Sequence, residues 1–193
     1  MEVYVEMLGD YFRSLGFRLT GQTVVLWLIG IALLAFVIAM RVRFRESRKL
    51  VLLTFLYLLP EMLYRPLTGF SDSIFTVGKL LFWGTLVLIV ALLSTLCWYV
   101  GFRLKSGKAA KGLAVAAVAA RIGNIVFYFL LLKPALESRT LVAELSVLYH
   151  VLSYLPFVLL FFLLLERYQV AKREHRFSGS DRHFRSYWSD EQS

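Results

Sequence analysis

Arg121 and Asn124 stand three residues apart in an otherwise apolar run from Leu113 to Leu132. A guanidinium at the centre of a bilayer costs about 2.5 to 3.5 kcal/mol on insertion scales, so it must turn toward protein or water and find a counter-charge. Depth along the neighbouring apolar runs supplies candidates. At 1.5 Å per residue, Arg121 and Asn124 lie about 12 and 17 Å from the start of their run, and Glu61 about 17 Å from the start of its own. His150 falls about 13 Å below the opposite boundary of a third run. These four residues are expected to share one polar layer near the midplane, with Arg121 and Glu61 as an ion pair and Asn124 and His150 completing its hydrogen bonds.

Two chemistries fit such a layer. A buried carboxylate and a histidine can exchange protons while arginine keeps its charge, as a proton path or polar cavity requires. The same pair can also act only as a lock on helix register. Pro60 and Pro156, each inside an apolar run, would kink their helices and free a backbone carbonyl beside the layer. A further group of cations, Arg65, Lys79, Lys133 and Arg139, lies at the ends of runs and would ring an outer mouth, although boundary cations ordinarily snorkel to water.

The elements that must position these residues are membrane helices. Of 193 residues 59% are hydrophobic and 18% charged, and each crossing of a hydrocarbon core about 30 Å thick needs roughly 20 apolar residues. An all-α bundle of about five transmembrane helices follows: Gln22 to Met40, Leu50 to Tyr64, Val77 to Phe102, Leu113 to Leu132, and Leu141 to Leu165. The second contains Pro60, Glu61 and Arg65, and is expected to kink or to dip in and return. Small residues at Ala116, Ala117, Ala119, Ala120 and Gly123 suit close packing of the fourth.

Three segments divide the chain. Residues 1–21 repeat apolar side chains at helical spacing (Val3, Met7, Leu8, Tyr11, Phe12, Leu15) opposite acidic ones, an amphipathic helix for the outer surface. Residues 22–165 form the bundle. Residues 166–193 are a basic and polar tail whose first part continues the last helix and whose end is flexible or docked on a partner.

Fifteen of the 22 lysines and arginines fall in Arg41–Lys49, Arg103–Lys111 and the tail, alternating with loops nearly devoid of cations. The positive-inside rule places those three segments in the cytoplasm and the N-terminus outside, as in a multi-pass protein of a bacterial inner membrane. The net charge of +9 then reflects topology and anionic headgroups rather than nucleic acid. Trp98, Tyr99 and Tyr168 suit an interfacial belt. The first run ends in arginines rather than a small-residue cleavage site, so no signal peptide is expected to be removed.

Catalytic signatures do not occur in the sequence. It has no nucleotide-binding glycine loop, no Gly-x-Ser-x-Gly, no His-Glu-x-x-His and no Cys-x-x-Cys, and its single cysteine, Cys97, cannot form an intrachain disulfide. No cofactor, metal or catalytic residue is expected. The composition therefore points to a non-enzymatic membrane protein, either a transporter or channel component for a small solute or ion, or a subunit of a membrane assembly or homo-oligomer. The rival class is a small intramembrane lipid-modifying enzyme, with Arg121 holding a phosphate and Glu61 or His150 as acid or base.

Overall fold

In a bilayer no water can satisfy an exposed backbone amide, so a segment that crosses it must close its hydrogen bonds within itself, as a helix does. The computed structural model describes residues 21–67, 76–138 and 142–190, with side chains described for most positions from 24 to 62, 80 to 136 and 143 to 175. Every element among the described residues is helical: α1 (Gly21–Phe44), α2 (Arg48–Leu67), α3 (Thr76–Trp98), α4 (Ala110–Phe127), the short α5 (Lys133–Ser138) and α6 (Val142–Asp190). Five-residue π-turns extend α3 (Tyr99–Arg103) and link α4 to α5 (Tyr128–Leu132). The second ends two residues before Pro134, where a wider turn accommodates a residue that lacks an N–H.

Four stretches are long and apolar enough to cross a membrane: Val24–Phe44, Leu80–Arg103, Ala110–Leu136 and Ala143–His175. The chain is a multi-pass membrane protein. Its polarity is arranged as lipid solvent dictates, with apolar side chains outside and polar ones within. Leu80, Val87, Leu130 and Val147 are each more than 60% exposed, whereas Thr54, Arg121, Asn124 and Ser153 are no more than 3% exposed.

Helix α2 corrects one expectation. It neither turns back nor breaks at Pro60, and its 20 residues run as one helix about 30 Å long, the thickness of the hydrocarbon core. Proline is tolerated here because Pro60 is buried against neighbouring helices. At the far end Pro66 cannot donate to the Met62 carbonyl four residues back. The Trp27 indole of α1 supplies that hydrogen bond instead, at 3.2 Å.

In the tail, helix α6 continues without interruption across residue 166 to Asp190, carrying the expected continuation of the last helix beyond the first part of the tail. The proposed surface helix at residues 1–21 falls almost wholly outside the described residues.

The five long helices close into a ring, α1 beside α2, α2 beside α3, α3 beside α4, α4 along α6, and α6 back against α1. The α4–α6 seam is the most extensive. Loops α1–α2 and α3–α4 and the middle of α6 meet at one end, where Arg167 binds Glu46 at 2.5 Å, Glu174 at 3.5 Å and, through a hydrogen bond, the Lys105 carbonyl. The three basic segments therefore share one end of the bundle.

Helix α4 turns inward a single stripe, Ala110, Ala114, Ala117, Arg121 and Asn124, at alternating spacings of four and three. Of the small residues expected to pack, Ala117 lies on that stripe, while Ala119 and Gly123 face outward. The close approach is made instead by Gly101 of the first π-turn. A Cβ there would lie 2.9 Å from the Ala114 Cβ and 3.3 Å from the Ala110 carbonyl oxygen. Gly101→Ala is therefore expected to force α3 and α4 apart and lower stability by about 1 to 3 kcal/mol. Ala114→Gly in the same chain should restore most of the loss, as measured by thermal unfolding in detergent; no recovery would mean that the contact is not the cause.

Candidate functional site

The polar residues of the α4 stripe meet partners from across the ring. Arg121 and Asn124, at i and i+3, project from one face, and the Arg121 Nη1 donates to the Asn124 Oδ1 at 3.3 Å. Its Nη2 lies 3.0 Å from Glu61 Oε1 of α2, with the two side chains only 3% and 8% exposed. Helices α2 and α4 are not neighbours in the ring, so this ion pair crosses the bundle interior. Withdrawn from water, a charge of either sign is tolerable only when matched, and each here stabilises the other.

Helix α6 closes the other side through Tyr149 and Ser153. Asn124 Nδ2 donates to the Tyr149 carbonyl and to Ser153 Oγ, both at 3.4 Å, and Ser153 Oγ donates to the same carbonyl at 2.7 Å. A serine that bonds the carbonyl four residues back spares its own polar group and bends the helix slightly. Buried Pro156 follows within one turn, and its missing N–H leaves the Leu152 carbonyl without a helical donor. Network and proline thus lie on adjacent turns of α6.

His150 follows Tyr149 on α6 and points along a different azimuth. Its Nε2 lies 3.2 Å from Ser146 Oγ of the same helix, and its ring centroid is 5.7 Å from that of Tyr149. Successive helix residues point about 100° apart, so Tyr149, rather than His150, brings its backbone to Asn124. Pro60 is buried on α2 immediately before Glu61. Lys133 opens α5 and is half-buried, Arg139 lies outside the described residues, and only the backbone is described for Arg65 and Lys79. The expected cationic mouth therefore falls mainly outside the described part.

Two participants escaped the sequence reading. Ser153 was overlooked because hydroxyls are common in membrane helices and carry no charge. Tyr57 is fully buried one turn before Glu61, close enough to feel the charges of both Glu61 and Arg121, and its hydroxyl has no hydrogen-bond partner among the described residues. The i, i+4 spacing of Tyr57 and Glu61 was the available signal.

A cavity of about 10 Å³ adjoins the pair, lined by Glu61, Trp27, Gly30, Met62 and Phe157 among others. That is the room of about one water molecule, and Glu61 gives it a polar wall. Among the described residues no group of three or more His, Cys, Asp or Glu side chains is placed to hold a metal ion. A carboxyl group can gain or lose a proton, whereas a guanidinium keeps its charge, so protonation of Glu61 would weaken its attraction to Arg121. No protein family, curated protein or solved structure matches this chain.

Proposed function

We propose that this protein transports an ion through the membrane, that the ion is a proton, and that Glu61 is its binding site with Arg121 as the fixed counter-charge. The observation that carries this reading is an ion pair spanning the bundle interior with a water-sized cavity against its carboxylate. A polar group at such depth is costly to keep, and transport pathways are a common reason for keeping one. We place the Arg167 end in the cytoplasm, in accord with its concentration of cations.

The test separates transport from a register lock. The double variant Glu61→Gln/Arg121→Leu removes both charges of the pair together and is expected to fold and insert. In vesicles loaded with a pH-sensitive dye and polarised with potassium and valinomycin, the native protein should carry protons and the double variant should fall to the rate of empty vesicles. Proton uptake by the double variant at the native rate would overturn the proposal, as would native protein no faster than empty vesicles.

A further inference from the structure

The seam between α1 and α6 carries two depressions at different depths. The deeper is an apolar groove of about 360 Å³ lined by Ile29, Ala32 and Leu33 of α1 and by Tyr154, Val158 and Phe162 of α6, among others. The other, at the basic end, is a polar cavity of about 540 Å³ whose walls include Arg43, Phe44, Arg45, Glu46, Arg167 and His175. Between them the seam is faced with rings: Phe36 lies 5.9 Å from Phe161 and 5.8 Å from Tyr168, and Phe44 lies 5.4 Å from Tyr168.

The charges in the polar cavity are not all matched. Arg167 faces Glu46 and Glu174, which account for both carboxylates of the wall. Arg43 and Arg45 are exposed and make no ion pair among the described residues. Arg45 is held with φ at 55°, the left-handed conformation that a residue other than glycine or asparagine adopts only at a cost. Two unmatched guanidiniums at a membrane boundary form a receptor for a phosphate. The separation fits as well. From the middle of the groove to the cations is about 20 Å along α1, close to one leaflet of a hydrocarbon core about 30 Å thick.

We infer that the α1–α6 seam binds one anionic phospholipid from the leaflet at the basic end, its phosphate against Arg43 and Arg45 and an acyl chain along the seam into the groove at Ala32 and Phe162. The groove shares Phe157 with the small cavity beside Glu61 but contains neither member of the ion pair, and lipid binding there does not depend on proton transport. Charge complementarity selects the headgroup, and the apolar groove on the same seam accounts for the tail.

The protein is reconstituted in nanodiscs of phosphatidylcholine and phosphatidylglycerol at four to one, extracted into mild detergent, and its retained lipid counted by native mass spectrometry. The ratio of phosphatidylglycerol to phosphatidylcholine retained should exceed that of the bilayer at least tenfold. Arg43→Gln/Arg45→Asn removes both charges, and asparagine suits the left-handed position, so the fold should persist as judged by monodisperse elution; the preference should vanish. Ala32→Phe, which fills the groove, should lower retention of both lipids. Soluble glycerol phosphate should not displace the bound lipid, because it has no chain to bury. Equal retention of the two lipids by the native protein, unchanged preference in the arginine variant, or displacement by equimolar glycerol phosphate would each overturn the inference.

Discussion

Glu61→Leu, with Arg121 left in place, is expected to destabilise the bundle by about 3 to 5 kcal/mol, because it strands a buried guanidinium. Arg121→Leu should cost less. A carboxylate deprived of its partner can take up a proton and become neutral, whereas arginine stays charged at any working pH. The double variant Glu61→Leu/Arg121→Leu should recover most of the loss, since a buried pair replaced by apolar side chains is often neutral or stabilising. The three variants and the native protein form a cycle that can be followed by reversible unfolding in mixed micelles. Additive losses, with no recovery in the double variant, would show that the 3.0 Å contact carries no coupling. Stability of the double variant is also what allows its proton uptake to be read as function.

The second large effect belongs to Arg167 at the basic end. It joins the α1–α2 loop through Glu46 and the α3–α4 loop through the Lys105 carbonyl, and both ion-paired side chains are nearly buried, at 10% and 4% exposure. Arg167→Leu removes both ties at once, and although Glu46 can then take up a proton, loss of the ion pair together with the charged hydrogen bond to Lys105 is worth about 3 kcal/mol. Glu46→Gln should follow it. Glu174, 46% exposed on its side chain, sits in water at 3.5 Å from the same arginine, and Glu174→Gln should change stability by no more than about 1 kcal/mol. Unfolding in detergent, read with hydrogen exchange of the Arg45–Ser47 and Leu104–Ala109 amides, distinguishes the two carboxylates. Equal effects would mean that burial does not set the strength of these pairs.

The residues that define this molecule differ in how visible they are in the sequence. Arg121 and Glu61 were legible because depth along a membrane helix is a simple sum of residues, and two charges at one depth must find each other in a medium that penalises both. The Arg167 clasp was not, since a basic tail residue looks like every other topological cation until the loops around it are placed. Gly101 was also missed: the alanine-rich run drew notice to α4, yet the close approach depends on which turn of α3 faces it. Pro60, Glu61 and Arg65 left a kink or a re-entrant turn open for α2, and the structure has one helix from Arg48 to Leu67, in which the carbonyl freed by Pro66 accepts from Trp27 and the carboxylate is met by Arg121.

His150 and its neighbours mark the boundary between the two kinds of information. The sequence by itself determined that the chain lives in a bilayer, that it is helical, and that its cations gather at one end. Only the tertiary structure decided rotation about each helix axis: that Tyr149 and Ser153 serve Asn124 while His150 turns to Ser146, and that five helices close a ring with the ion pair across it. The reason is the solvent. In water a helix declares its inner face by being apolar there, but in lipid both faces are apolar, so packing and a few hydrogen bonds choose the face.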